Sequence, residues 1–228
     1  MDTTVMRDLT VPDILFLDLE TSGLYRNDLS MDDAGQPWAM QIAAALFNRA
    51  GQMTNGFSHI IKAAGRMTKE AAAEVHGISA RAADQVGIPE RRALGCLLDM
   101  LKTAPVRGMK VVSFGDMDPK IIASLLARFA IEMGQPSTAN DKYWLSRPLT
   151  TYIDLQKPFL QMLCKLPFDF ENGDFRWPTL DEAAEIILGR PARTGFHDGW
   201  TDMILLKDLY FALADRGVVE REHLEATA

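Results

Sequence analysis

Two carboxylates stand together at the end of the first strongly apolar segment of the chain. Asp18 and Glu20 close the run Asp13-Ile-Leu-Phe-Leu-Asp-Leu-Glu20, which predicts a strand buried on both faces. Residues two apart on a strand point to the same side, so both carboxylates would face one way and repel each other. A divalent cation between them would remove that repulsion. The alternative is that the strand ends at Asp18 and that both acids are solvated in a loop.

The residues that follow favour the metal interpretation. Asp18-Leu-Glu-Thr-Ser-Gly23 after an apolar strand resembles the first exonuclease motif of the DEDDh (DnaQ-like) 3′–5′ exonucleases. That family has a ribonuclease H-like fold and carries three motifs in a set order. The resemblance covers roughly residues 13–214, and residues 177–189 also look like the family's helix before the third motif.

The third motif of the family places a histidine, four further residues and an aspartate at the start of the last major helix. Here the matching text is His197-Asp-Gly-Trp-Thr-Asp202. A carboxylate one turn into a helix can bind a metal ion while a histidine on the preceding loop reaches an attacking water. Taken alone, His197 also fits a helix-capping or surface histidine, and Asp202 fits a residue favoured near a helix N-terminus.

The second motif supplies one more aspartate after the fourth strand, usually within His-Asn-Ala-x-Phe-Asp. The segment Ser113-Phe-Gly-Asp-Met-Asp118 departs from this pattern, because Ser-Phe replaces His-Asn. Asp118 matches the terminal aspartate and precedes a predicted helix, where it would also serve as the N-cap. Asp116 is the rival ligand.

The resemblance also implies which residues lie beside the terminal nucleotide. These are Thr21, Ser22, His76 and Met117, of which His76 belongs to a Val-His-Gly-Ile segment similar to the family's His-Gly-Ile. For His76 the alternative is a histidine that caps an alanine-rich helix.

The chemistry that the resemblance implies is a two-metal hydrolysis of phosphodiester bonds. His197 would be the general base, because a histidine side chain ordinarily titrates near neutral pH. Two divalent ions would be held by four carboxylates, those of Asp18, Glu20, Asp118 and Asp202. Oxygen-only ligands favour Mg²⁺, with Mn²⁺ as a substitute. The expected products are nucleoside 5′-monophosphates released from a 3′ end.

The substrate is less sharply specified than the chemistry. Single-stranded DNA is favoured and RNA is an alternative, and any replication or repair partner would bind non-covalently. Because the family includes tRNA-trimming ribonucleases and oligoribonucleases, a 3′–5′ exoribonuclease is one alternative function. The altered second motif leaves another, a DEDDh-fold nucleic-acid-binding accessory protein whose site has decayed. The sequence contains no P-loop, G-x-S-x-G, G-x-G-x-x-G or CxxC motif.

Charge is distributed unevenly along the chain. The 228 residues include 24 basic and 31 acidic side chains, a net charge of −7, which by itself disfavours a nucleic-acid partner. Residues 51–110, however, carry 9 basic and 5 acidic side chains. We expect this basic island to supply contacts to a phosphate backbone, although a solvated helical surface would carry the same charges. The acidic total is partly that of the metal site itself.

Composition bounds the class of protein. An apolar content of 47% is ample for a buried core and excludes wholesale disorder. The sequence has no apolar run long enough to span a membrane and no targeting signal, so we expect a cytoplasmic protein without a membrane partner. Two cysteines far apart, Cys96 and Cys164, are consistent with a reducing compartment.

The elements that must position these residues alternate as in an α/β domain. Beside the first strand, strands are predicted at 40–47, 56–62, 109–114 and 150–155, and helices at 68–75, 90–104, 119–133, 179–188 and 199–214. Thr68 is the predicted cap of the first helix. We therefore predict a ribonuclease H-like mixed β-sheet flanked by α-helices, in one DEDDh exonuclease domain over residues 1–228 with its core at about 13–214.

Overall fold

The computed structural model describes residues 12–103, 108–132, 150–169 and 173–219. The main strands are β1 (Pro12–Thr21), β2 (Ala39–Asn48), β3 (Met53–Ile60), β4 (Met109–Ser113) and β5 (Thr150–Asp154). They form one sheet in the order β3-β2-β1-β4-β5. The first three strands pair antiparallel, whereas β4 and β5 run parallel to β1. The sheet is therefore mixed, as predicted.

Helices cover this sheet on both faces. In the described part of the chain they are α1 (Glu70–His76), α2 (Ala80–Val86), α3 (Glu90–Lys102), α4 (Met117–Glu132), α5 (Pro158–Cys164), α6 (Leu180–Leu188) and α7 (Gly199–Asp215). A small hairpin, β6 (Phe168–Asp169) and β7 (Asp174–Phe175), precedes α6. None of the helices in these described ranges is long and apolar enough to cross a membrane.

The alternation of side chains along β1 assigns its residues to two separate cores. Leu15 and Leu17 are buried in the layer that includes α3 and α4. Phe16 is buried in the layer that includes α6 and α7, where its ring meets that of Tyr210 edge-on at 5.4 Å. Because side chains two apart share a face, Asp18 lies on the same face as Phe16, beneath α7.

Two predicted N-caps are wrong. Helix α1 begins at Glu70 rather than after Thr68, and the residue at its N-cap position, Lys69, makes no side-chain capping bond. Helix α4 begins at Met117, so Asp118 lies inside its first turn instead of capping it. The chain turns earlier than predicted because Gly115 adopts a φ of 82° and donates its N–H to the carboxylate of Asp154 at 2.8 Å.

The other long elements agree with the prediction. The clearest case is α6, where the Thr179 hydroxyl accepts the N–H of Glu182 and the Glu182 carboxylate accepts the N–H of Thr179, a capping box. Helices α2 and α5 were not predicted, since seven residues are too few for a helical period to stand out. The predicted helix ends at 104 and 133 lie outside the described residues.

Candidate active site

The end of β1 presents Asp18 and Glu20 beside α7. In the antiparallel register with β2, Asp18 lies opposite Ala43 and Glu20 lies opposite Gln41. β1 continues to Thr21, so the alternative in which both acids belong to a solvated loop is wrong. Glu20 is only 6% exposed and Asp18 is half-buried.

Asp118 joins this pair from the other side of the sheet's end. Parallel strands β1 and β4 end at the same edge, and α4 begins four residues after β4, so its first turn lies over that edge. Asp118 is buried, and its carboxylate lies near enough to the backbone N–H of Leu19 to be influenced by it. Asp116, the rival ligand, is exposed and pairs with Lys120 at 2.7 Å. The geometry therefore favours Asp118.

The start of α7 is held in place by two distant segments. The Gln41 side chain donates to Asp198 Oδ1 at 2.8 Å and accepts the N–H of Gly199 at 3.0 Å, which ties the N-terminus of α7 to β2. The N–H of His197 donates to the carbonyl of Val75 in α1 at 2.9 Å. These bonds set the position of the first turn of α7 relative to the sheet.

The third-motif residues meet the first-motif acids there. Ligand atoms of Glu20, His197 and Asp202 lie within 4.8 Å of one another. His197 Nδ1 is 3.0 Å from Asp202 Oδ2, and Asp202 is 4% exposed. Asp18 and Asp118 act electrostatically on each other and on this group. All five predicted catalytic residues are thus brought together at one end of the sheet.

Burial and mutual repulsion make this group unfavourable when every carboxylate is ionised. Burial first, and then Asp118, raises the pKa of Asp18 well above its usual range. Burial and Asp202 raise the pKa of Glu20 to about 7, and burial with repulsion from Glu20 raises the pKa of Asp118. Glu20 Oε1 is buried and has no hydrogen-bond partner among the described residues. A buried carboxylate oxygen of this kind, in a group of repelling acids, fits a divalent cation.

A pH dependence of stability follows from Glu20. Its folded pKa of about 7 exceeds the ordinary 4.5, so the folded state binds more protons than the unfolded state between these values. In EDTA the free energy of unfolding should therefore fall as pH rises through this window, and Mg²⁺ should reverse the fall by binding the ionised form. Thermal midpoints of the wild type and of Glu20→Gln, measured across that window, isolate the contribution. If the difference in thermal midpoint between the two proteins does not change with pH, the predicted contribution of Glu20 is wrong.

Arg193 is a member of the site that the sequence did not indicate. Its guanidinium binds Asp181 through Nε at 2.7 Å and Nη2 at 3.0 Å, and its Nη1 contacts Asp202 Oδ1. Burial raises the pKa of Asp18, and the positive charge of Arg193 offsets a small part of that rise. The only sequence signal was an arginine in the loop four residues before His197.

A cavity of about 440 Å³ opens beside Glu20. Its walls include Thr21, His76 and Met117, three of the four residues predicted to lie beside a terminal nucleotide. The remainder of its lining is mostly apolar. The fourth predicted residue, Ser22, lines a neighbouring cavity instead, and its hydroxyl accepts the N–H of Trp38 at 3.0 Å.

His76 joins the first motif to the end of α1. Its Nδ1 accepts the N–H of Ile78 at 3.0 Å, which leaves Nε2 to donate to the carbonyl of Thr21 at 3.3 Å. Burial lowers the pKa of His76, so the neutral ring is favoured. Gly77 follows with a φ of 70°, and a Cβ there would lie 2.8 Å from the Phe196 ring. The His-Gly-Ile segment therefore needs its glycine for both backbone conformation and space.

Comparison with known proteins bears on the fold. No family model matches the sequence, and no curated protein matches it. The structure has the ribonuclease H-like fold of exonucleases, which confirms the predicted fold class. This is the fold that the three sequence motifs predict.

The solved structures that share this fold include exonuclease I from two bacteria. Escherichia coli Exonuclease I in complex with a 5cy-dT13 oligonucleotide matches 90% of this chain with a TM-score of 0.64 and 15% identity. A moderately thermophilic Exonuclease I from Methylocaldum szegediense matches 90% with a TM-score of 0.64 and 14% identity. A zinc-bound E. coli ExoI–ssDNA complex matches 90% of this chain with a TM-score of 0.64 and 16% identity. This chain spans about two fifths, 41%, of each of those proteins.

Proposed function

We propose that this protein is a metal-dependent 3′–5′ exonuclease that hydrolyses single-stranded DNA and releases nucleoside 5′-monophosphates. The observation that carries the proposal is the group of Glu20, His197 and Asp202, whose ligand atoms lie within 4.8 Å of one another, with the buried and unpaired Glu20 Oε1 among them and with Asp18 and Asp118 close enough to repel it electrostatically. A solvated scaffold gains nothing from such a group, because each buried carboxylate raises the pKa of its neighbours. Crystallised Exonuclease I molecules of the same fold hold DNA oligonucleotides, which supports the substrate class.

The carboxylates of Asp18, Glu20 and Asp118 offer oxygen ligands to divalent ions. Asp202 would join them once the Arg193 guanidinium releases Oδ1. Such a donor set favours Mg²⁺, with Mn²⁺ as a substitute, and a zinc-bound neighbour supports a divalent requirement. When bound, two ions would lower the pKa of an attacking water and stabilise charge on the departing 3′ oxygen.

His197 would take the proton from the attacking water. Its Nδ1 contacts the Asp202 carboxylate at 3.0 Å, which fixes the tautomer and leaves Nε2 as the proton acceptor. The imidazole is 46% exposed, so the acquired proton can pass to solvent. Asp202 would thus orient the base with one oxygen and bind metal with the other.

The cavity beside Glu20 would receive the terminal nucleotide. Thr21 and His76 form one side of it, and Met117 with the exposed Leu24 supplies apolar surface against which a base can pack. Apolar walls contact every base alike, so hydrolysis would be independent of sequence. Because apolar surface by itself selects neither ribose nor deoxyribose, RNA is the second candidate substrate.

Digestion of end-labelled oligonucleotides tests the proposed function. We expect Mg²⁺-dependent loss of a 3′ label from single-stranded DNA. The 5′-labelled strand should shorten stepwise, and no reaction should occur in EDTA. The same experiment on RNA discriminates the exoribonuclease alternative, which would degrade RNA faster than DNA. Failure to degrade either polymer in Mg²⁺ or Mn²⁺, while still binding it, would favour a decayed accessory protein.

A further inference from the structure

A second cavity, of about 620 Å³, adjoins the one beside Glu20. The two share Gly23, Leu24 and Lys69 as common wall, so a chain leaving the first cavity enters the second. The second cavity lies between the loop after β1, the segment before α1, and helices α3 and α4. We call it the basic cleft, because five cations line it: Arg26, Arg66, Lys69, Arg91 and Arg128.

Three of the five cations of the basic cleft are already paired: Arg26 binds Asp28 at 2.5 Å, and two others bind carboxylates of the cleft itself. Its lining includes two carboxylates, and each takes one arginine: Glu90 binds Arg66 at 2.5 Å, and Glu132 binds Arg91 at 2.6 Å. Lys69 and Arg128 form no ion pair with any carboxylate among the described residues. The cleft therefore holds an excess of positive charge in a protein whose net charge is −7.

Arg128 carries a charge that is partly removed from solvent. It is half-buried, and within the described residues its guanidinium donates to two neutral oxygens, the Ser124 hydroxyl at 3.0 Å and the Asp33 carbonyl at 3.3 Å. Burial lowers its pKa, and the carboxylates of Glu90, Asp33 and Glu132 offset this only in part. A partly desolvated cation that no carboxylate contacts directly is stabilised when an anion binds beside it.

The aromatic rings in the basic cleft indicate contact with phosphates rather than with bases. Arg66 lies over the Trp38 ring at 4.3 Å, and Arg91 lies over the Phe129 ring at 4.9 Å. Trp38 is only 4% exposed and donates its indole N–H to the Met67 carbonyl. Since a guanidinium group already covers one face of each ring and Trp38 is buried, the cleft offers an incoming strand the exposed Arg91 guanidinium, which can bind phosphate oxygens, ahead of its rings.

We propose that the basic cleft binds the phosphodiester backbone immediately 5′ of the terminal nucleotide, an inference that rests on the proposed exonuclease function. The terminal nucleotide sits beside Glu20, the chain crosses Leu24 and Lys69, and the next phosphates lie against Arg91 and Arg128. The contact is independent of sequence, and it makes affinity depend on substrate length and salt.

The double variant Arg91→Gln/Arg128→Gln tests this binding site. It leaves the wall shared with the first cavity and the Arg66–Trp38 contact intact. We expect KM for a dodecamer of deoxythymidylate to rise about tenfold, equivalent to about 1.4 kcal/mol, with kcat and dinucleotide hydrolysis unchanged. Loss of two phosphate contacts should lower the slope of log Kd against log salt by about 1.4 for single strands, measured by fluorescence anisotropy in EDTA.

A matched control removes the same charge elsewhere. Arg81→Gln/Lys102→Gln changes two exposed cations that line neither cavity, and should leave KM and the salt slope at wild-type values. If the cleft variant also keeps wild-type values while dinucleotides are hydrolysed, the cleft proposal is wrong and the exonuclease proposal stands. If the wild type hydrolyses neither substrate, the exonuclease proposal fails, and the anisotropy slopes alone decide whether the cleft binds the strand.

Discussion

Replacing Asp18 by asparagine should abolish Mg²⁺-dependent nucleotide release and, at the same time, stabilise the metal-free protein. Activity should fall by more than about a hundredfold, since even groups that merely support metal ligands commonly contribute 10- to 100-fold. The gain in stability follows from the direction of the pKa shift. Burial and repulsion raise the pKa of Asp18, so its ionised form destabilises the fold. Asparagine keeps the shape and removes the charge. Thermal midpoints in EDTA and in Mg²⁺, together with 3′-label release, measure both effects.

Asp116→Asn is the matched control for that variant. It makes the same chemical change at an exposed carboxylate whose partner is Lys120. Its effect on stability should stay within about 0.5 kcal/mol, the usual range for surface substitutions, and its activity should match the wild type. An Asp18→Asn protein that retains activity would refute the metal site. One that is less stable than the wild type in EDTA would refute the account of its electrostatics.

Replacing His197 by alanine should lower kcat by about a hundredfold to ten-thousandfold, the range for a lost general base, and leave metal affinity nearly unchanged. The fold should tolerate the change, because the loop is held by the backbone N–H of residue 197 to the Val75 carbonyl, which alanine retains. Single-turnover rates report the loss of the base, and calorimetric titration with Mn²⁺ reports the metal. Added imidazole should restore part of the rate, because the position is half-exposed.

The same titration separates two roles for this histidine. His197 lies close enough to Glu20 and Asp202 to serve as a metal ligand itself. In that case Mn²⁺ affinity would fall together with kcat, and imidazole would restore both. His59→Ala is the control: that ring stacks on Phe57 at 5.1 Å on β3, away from the site, and its loss should leave both measurements unaltered.

Local sequence patterns were sufficient to predict the strands and long helices that build the site. The apolar run of β1 and its two acids specify a buried strand with both carboxylates on one face, since side-chain alternation depends on the backbone alone. The capping box at Thr179 is similarly local, because its bonds join residues three apart. At Asp118 the prediction failed only for the start of α4 and the N-cap role, because Gly115 and a contact to Asp154 on β5 decide where the helix begins.

The sequence by itself determined the types of group available for chemistry, their order along the chain and the fold that carries them. Only the tertiary structure buried Asp118 and exposed Asp116, inserted Arg193 between Asp181 and Asp202, and opened the cavities that adjoin at Leu24. The physical reason lies in the contacts involved. The bond that ties α7 to the sheet, from Gln41 to Asp198, joins residues 157 apart, and such contacts depend on packing of the whole core, which no local period of side chains encodes.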